Sequence, residues 1–272
     1  MKPEMLDKLG PFREEALARG IPSDDVERWI GIARPCATLS EARNGPVVAQ
    51  FGGPLMLPVD TPDPRFPFVA SIDCAALPEG VTDLPLPPDG QLLLFAFPDN
   101  EEIASMGEVV YIPAGAAVEE RAKDAHFFAE IPDYREVCQA FPQGPLTIAA
   151  ANVSLPYHCW IELPDEPWSA PLPGHPHSEQ LLAVWLDKEE DITTPGALQI
   201  GGYAWDEYTE IDPVAKAASL AAEQPGEDWV LLAQWDPGIS GREGTSVHWV
   251  IRRNDLAARR FDQVQVGVFW NP

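Results

Sequence analysis

The sequence predicts an α+β protein, mainly antiparallel β-sheets with a few peripheral helices, internally duplicated into two related halves. Three observations predict it. Gln50-Phe-Gly-Gly-Pro-Leu-Met-Leu-Pro58 leads into Phe68-Val-Ala-Ser-Ile-Asp73 and, through Asp89-Gly90, into Gln91-Leu-Leu-Leu-Phe-Ala-Phe97. The same grammar returns as Gln199-Ile-Gly-Gly-Tyr203, then Trp229-Val-Leu-Leu-Ala-Gln-Trp-Asp236, then Glu243-Gly244 before Thr245-Ser-Val-His-Trp-Val-Ile251. In each copy a double glycine precedes an apolar run closed by Asp, and Gly opens a second apolar run. Stretches with helical spacing are few, and they flank or join these runs. The expected organisation is a pair of N-terminal helices over 1–35 packed on the body, then one domain over 36–272. Its halves, about 36–155 and 178–272, are joined by an irregular aromatic and proline-rich segment.

The elements follow in order. Residues 3 to 19 spell a helix interrupted at Gly10-Pro11. A second helix begins at Ser23, read as its cap, with Asp24 and Asp25 suited to the positive end of the dipole. Val26, Trp29, Ile30 and Ala33 make one apolar stripe, and Pro35 ends it. Residues 37–39 and 47–50 read as short strands about a turn at Asn44-Gly45. The glycine pair Gly52-Gly53 closes the second. Residues 54–67 are dense in proline and read as a stiff loop. The runs 68–72 and 92–97 are apolar almost throughout, as in strands covered on both faces. Residues 108–112 form another strand, 116–124 a polar connector, 126–131 a weakly alternating run, 133–141 a short helix and 146–153 a strand. Ser178 is read as the cap of a helix carrying Leu181, Leu182, Trp185 and Leu186 on one face. Asp212-Pro213 opens the next helix. Strands over 229–235, 245–251 and 264–270, with a helical turn at 254–260, complete the chain.

Composition bounds the function. With 272 residues, 45% of them hydrophobic, the chain can bury a large core. No apolar run approaches the roughly 18 residues that span a bilayer. Met1-Lys-Pro-Glu-Met-Leu-Asp-Lys8 does not read as a signal peptide. The expected location is the cytoplasm, with no membrane partner. The net charge of -25 repels phosphate backbones, so no nucleic-acid partner is expected. It suits a basic protein as partner, although solubility alone explains it more plainly. Scarce Lys beside abundant Ala and Pro fits the coding bias of a GC-rich genome. The charge is uneven. From Asp236 onward five arginines face four acids, which leaves 13 basic and 39 acidic side chains before it. Pairing of these arginines with acidic loops is the expected reason. Cys36, Cys74, Cys138 and Cys159 match no Cys-x-x-Cys or zinc spacing, and read as small buried hydrophobes. Neither a cofactor nor a structural metal or disulfide is expected.

Taken together, Phe51-Gly-Gly-Pro-Leu-Met-Leu-Pro58, Phe68-Val-Ala-Ser-Ile-Asp73, Leu86-Pro-Pro-Asp-Gly-Gln-Leu-Leu-Leu-Phe95 and Val110-Tyr-Ile-Pro113 resemble the YwqG-like family. Ser154-Leu-Pro156, the second glycine pair, the run 229–236 and the tail around Asp255-Leu-Ala-Ala-Arg-Arg-Phe-Asp262 extend the resemblance over roughly 36–270. That bacterial family implies an α+β fold with antiparallel sheets and no established activity. Leu198-Gln199, Ala204 and Ser240-Gly-Arg-Glu-Gly244 depart from its usual pattern.

No nucleophile–base–acid constellation is legible: Gly-x-Ser-x-Gly, His-Glu-x-x-His and nucleotide-loop glycine patterns are all missing. His175-Pro-His177 invites a metal, but the proline between them and the lack of a third nearby ligand favour a surface loop. His248, inside an apolar strand, reads as a satisfied sheet residue. Asp73 and Asp236 close corresponding runs. They are expected either to fix their turns or, if the halves meet about a twofold axis, to share a cleft. That candidate cleft comprises Phe51, Gly52, Gly53, Asp73, Gly201, Gly202, Tyr203, Trp205 and Asp236. The function expected is a non-catalytic binding or interaction module, for example an acidic immunity-type inhibitor of a basic toxin or enzyme. The alternative is a small-molecule hydrolase or metal-assisted enzyme with its cleft between the halves.

Overall fold

A computed structural model describes residues 3–41, 45–99, 105–122, 133–158, 160–162, 169–206, 212–221 and 228–270. Its strands, in chain order, are β1 (Arg34–Ser40), β2 (Val47–Phe51), β3 (Leu55–Pro58), β4 (Phe68–Asp73), β5 (Gln91–Ala96), β6 (Gly107–Ile112) and β7 (Val118–Arg121). They continue with β8 (Gly144–Ser154), β9 (Trp160–Glu162), β10 (Ser169–Pro171), β11 (Leu198–Gly201), β12 (Trp229–Trp235), β13 (Thr245–Arg252) and β14 (Gln265–Trp270). Ten of them form one sheet in the order β14-β13-β12-β11-β1-β8-β2-β4-β5-β6. Every pairing is antiparallel. The sheet is nearly closed into a barrel. Just before β6, the Met106 N–H donates to Val266 O at 2.9 Å, and the Val266 N–H of β14 donates to Ser105 Oγ at 3.0 Å. These bonds join the two outer edges, which would otherwise expose unpaired backbone.

The strand order reads the same from either end. β1 and β8 pair at the centre, a meander β11-β12-β13-β14 leaves β1, and a meander β2-β4-β5-β6 leaves β8. The two meanders share details of register. Phe51, just before the first glycine pair, lies opposite Ala70, and Asp73 follows three residues later. Ile200, just before the second, lies opposite Ala233, and Asp236 follows three residues later. The next pairing carries a one-residue irregularity between Phe68 and Ala70 in one arm, and between Leu231 and Ala233 in the other.

The barrel interior is filled by inward-facing side chains of both arms. Trp235 meets Phe51 at 6.3 Å and Phe141 edge-on at 5.1 Å between ring centroids. Trp249 of β13 donates its indole N–H to Phe95 O of β5 at 3.1 Å, a bond between the two arms that satisfies a buried donor.

The helices are α1 (Pro3–Asp7), α2 (Gly10–Ala18), α3 (Ser23–Gly31), α4 (Tyr134–Gln139), α5 (Ser178–Ile192), α6 (Pro213–Leu220) and α7 (Arg253–Ala257). α2, α3 and α5 bring Phe12, Trp29 and Trp185 together over Val153 and Leu155, a second core outside the barrel. The break at Gly10-Pro11 is where α2 begins. Two capping assignments are corrected. Ser23 and Ser178 are the first helical residues; Pro22 and His177 precede them, and neither start has a side-chain cap bond. The α5 stripe is also corrected: Leu181, Val184 and Trp185 are buried, whereas Leu186 is 55% exposed. A step of about 100° per residue carries Leu186 past the contact face. The proline-rich loop and the polar connector each conceal a strand, β3 and β7, which pair with each other. Prolines bracket β3 at its ends, where a missing N–H costs little. The alternating run at 126–131 lies outside the described residues.

Candidate functional site

The structure does not bring the expected cleft together. From β2 to β11 the sheet takes three antiparallel steps, through β8 and β1, so the two strands point in opposite directions. Their glycine turns therefore lie at opposite ends of the barrel. Phe51 sits opposite Gly144 at one end of β8, and Gly201 sits opposite Cys36, itself opposite Asn152, toward the other. At about 3.3 Å per residue that is roughly 26 Å along the strand. Phe51, Gly52, Gly53 and Asp236 share one end; Gly201, Gly202, Tyr203 and Asp73 share the other. Twofold matching of antiparallel strands separates the two aspartates for the same reason.

Each residue then has its own task. Phe51 is fully buried in the barrel core and walls no cleft. Gly52 and Gly53 have φ of 60° and 80°, and Gly201 and Gly202 have 69° and 76°, so all four hold left-handed turns. A glutamine tends each turn. Gln199 Nε2 donates to Gly201 O at 2.9 Å and Tyr203 O at 3.0 Å, while Gln143 Oε1 accepts the Gly53 N–H at 3.3 Å. The Tyr203 hydroxyl donates to Ile32 O at 2.7 Å, and the Arg34 guanidinium lies 4.6 Å from its ring centroid. Burial raises its phenol pKa, which Arg34 opposes. Asp73 is exposed and accepts the Ala75 N–H at 3.0 Å, fixing its turn. Asp236 is different: it is part-buried, and burial pushes its carboxyl up to about 7 against a hydrogen bond from Gln234.

What the structure does assemble is a polar patch on the outer face of β12 and β13. Gln234 and His248 are direct cross-strand partners, 1% exposed each. The segment after Gly202 crosses above them. The Trp205 N–H donates to Gln234 Oε1 at 3.0 Å, and Trp205 O accepts from Gln234 Nε2 at 2.9 Å and from His248 Nε2 at 3.0 Å. A carbonyl only accepts, so Nε2 carries the proton. Burial drives the His248 pKa down to about 4, against that hydrogen bond, so the ring is neutral at pH 7. Next to it Asp206 lies 3.8 Å from His158, both almost fully enclosed. Asp212 Oδ1 accepts the Val214 N–H at 2.9 Å at the start of α6, and burial raises its carboxyl. In the other arm the positions that the register pairs alike, Ser71 and Leu93, hold no such cluster among the described residues; Leu93 is buried among apolar side chains. Gln234, His158 and Asp206 stood out in no sequence pattern, while Asp212 was legible as the opening of its helix, where it does accept the Val214 N–H. The only signal was a polar residue interrupting each of two apolar runs.

The remaining candidates resolve as structure. His177 pairs with Asp25 of α3, and His175 packs edge-on against Trp29 at 5.2 Å. Their loop fastens α5 to α3. Among the described residues no set of three His, Cys, Asp or Glu side chains can hold a metal ion. Cys36 and Cys74 are free thiols that burial pushes up to about 12, so neither is a thiolate at neutral pH. Arginines of the C-terminal segment pair with acidic loops, as their placement suggested. Arg242 bridges Asp99 and Asp133 at 2.9 Å each and lies over the Trp270 ring; Arg253 bridges Asp83 and Asp228 at 2.9 and 2.8 Å. No described helix is long and apolar enough to cross a membrane.

A family model described as "Domain of unknown function (DUF1963)" matches residues 49–268. That span includes both glycine turns, both aspartates and the patch on β12 and β13. A search of curated proteins finds no match.

Proposed function

The chain belongs to the DUF1963 family, and we propose that it is a non-catalytic binding module whose partner is a basic protein. The carrying observation is how its charge is spent. The chain has 18 Lys and Arg against 43 Asp and Glu. Arg13, Arg19, Arg121, Arg242 and Arg253 are all committed to ion pairs within the fold. Exposed carboxylates such as Glu14, Asp24, Asp60, Asp73, Asp89 and Glu136 are left facing outward. Such a surface steers encounter with a cationic patch and disfavours acidic competitors. An immunity-type inhibitor covering the basic active site of a toxin or enzyme is one form of this reading. The same proposal includes the narrower YwqG-like assignment, cytoplasmic residence, and the descent of the two meanders from one repeated unit.

The test is affinity capture from the source cell with this chain as bait, followed by calorimetry of the purified pair. A basic protein bound at low ionic strength, with affinity falling as salt rises and its own activity blocked, is expected. Capture of only neutral or acidic proteins, or salt-independent binding, removes the proposal.

A further inference from the structure

The two aspartates that close β4 and β12 hold matching places, which makes one a control for the other. Asp73 is exposed, and its carboxylate takes the Ala75 N–H of its own turn. Asp236 has no such use among the described residues. Its carboxylate receives one long hydrogen bond, from Gln234 Nε2 at 3.4 Å. That amide has two hydrogens, and the other makes the shorter bond, to Trp205 O at 2.9 Å.

Across the strand, Trp235 lies opposite Val247 and Gln234 opposite His248. The pairing ends at Trp235–Val247; carried one step further, the same register sets Asp236 against Ser246, the place that Gln91 holds against Asp73 in the other arm. Ser246 is 4% exposed, and its hydroxyl is buried with no hydrogen-bond partner among the described residues. It lies on the outer face with His248, since Val247 and Trp249 fill the core. Two under-used acceptors thus stand side by side at the edge of the polar patch. The nearest arginine in sequence, Arg242, is turned to Asp99 and Asp133. Trp205, 36% exposed, borders the same amide.

We propose that Asp236 and Ser246 form a receptor for a primary ammonium group, carried by a free amine or by a lysine side chain. Three N–H donors suit this pair: the carboxylate takes one, the hydroxyl oxygen a second, and the third stays at the open edge. The bound cation supplies the counter-charge that a neutral amide cannot. A carboxylate pushed toward neutrality by burial is then returned to its ionised form. The site concerns one part-buried carboxylate, and so stands apart from the exposed acidic surface.

The experiment follows the aspartate carboxyl carbons by NMR in uniformly labelled protein, with Asp236 assigned from Asp236→Asn. Methylammonium chloride is titrated against equal sodium chloride and tetramethylammonium chloride. The expected result is a fall of about one pH unit or more in the Asp236 midpoint, tenfold in proton affinity, with methylammonium alone. Asp73 does not respond. Ser246→Ala weakens methylammonium binding by about tenfold, while the midpoint without amine changes little. Identical midpoints in the three salts, or an undiminished response in Ser246→Ala, would overturn the proposal. A lysine-bearing peptide acting at lower concentration than methylammonium assigns the site to a protein's side chain; the reverse order assigns it to free amines. Salt-sensitive capture of a basic protein that persists in Asp236→Asn leaves the acidic-surface reading standing, whatever happens here.

Discussion

Asp236 and His248 are two residues apart in register, and their titrations oppose each other. Burial lifts the Asp236 carboxyl from 3.8 to about 7, and drops the His248 ring from 6.5 to about 4. The folded chain therefore holds a proton on Asp236 where the unfolded chain has lost it. The stability this confers is full below the unfolded value and lost as pH rises toward 7. His248 acts the other way. Its stability is full above 6.5 and is lost as pH falls toward 4. Between about pH 4 and 6.5 each group contributes close to one proton, with opposite signs, and the slopes cancel. The expected result is a nearly flat stability profile for this pair in the intact protein, read by urea unfolding at stepped pH. Asp236→Asn unmasks a rise with pH across that window, up to about 3 kcal/mol. It also raises stability at pH 8, where the buried charge is removed. His248→Gln unmasks a fall instead. An Asp236→Asn profile parallel to the parent's would show that this carboxyl is not the displaced one.

At the scale of elements, the glycine turns were legible because only glycine holds four such left-handed positions cheaply. Their surroundings were not. A Cβ on Gly202 would stand 2.8 Å from Cys36 Cβ and 3.0 Å from Ser154 Cβ, atoms tied to β1 and β8. A Cβ on Gly53 would meet the tip of the Gln50 side chain at 2.3 Å, which can swing away. Both substitutions carry the left-handed penalty of about 1–2 kcal/mol. Gly202→Ala adds a backbone shift between central strands, so it is expected to destabilise by about 2 kcal/mol more than Gly53→Ala. Equal melting temperatures for the two variants would contradict this. The other elements divide by the same criterion. Apolar runs such as 68–72, 91–96 and 229–235 announced their strands, because burial on both faces leaves a continuous signal. β3 and β7 did not: with pattern eeei, β7 buries too little to carry periodicity, and its pairing with β3 is set from a distance. Helix starts at Ser23 and Ser178 looked capped because the residue types fit, but each helix begins at the serine itself, so the cap position falls on Pro22 or His177. The patch beneath Trp205 was hidden for a related reason. Gln234 and His248 lie on consecutive strands, and only the β12–β13 register makes them direct partners.

For the whole molecule, the placement of β1 and β8 decides how the arms depend on each other. β1 precedes β2 in the chain yet pairs with β8 and β11; β8 precedes β11 yet pairs with β1 and β2. Each arm thus lends its first strand to the other. Cutting the chain within 123–132 tests this arrangement and the proposed duplication together. The N-terminal fragment keeps β2 on β4 but strips β1 of both neighbours. The C-terminal fragment keeps β11 on β12 but strips β8 of both. An orphaned central strand leaves an open edge and an uncovered core, a state that small domains do not tolerate as monomers. Neither fragment is expected to show a cooperative unfolding transition as a monomer. Mixed at equal concentration they are expected to form a one-to-one complex with a single transition, whose midpoint rises with concentration. If the arms are copies, each fragment also carries every strand role the other lacks. Alone at high concentration it is then expected to pair with a second copy of itself, β8 against β8 or β1 against β1. Analytical ultracentrifugation with circular dichroism separates these states. A fragment that unfolds cooperatively as a monomer, at a midpoint independent of concentration, would show that an arm is complete without the exchanged strand.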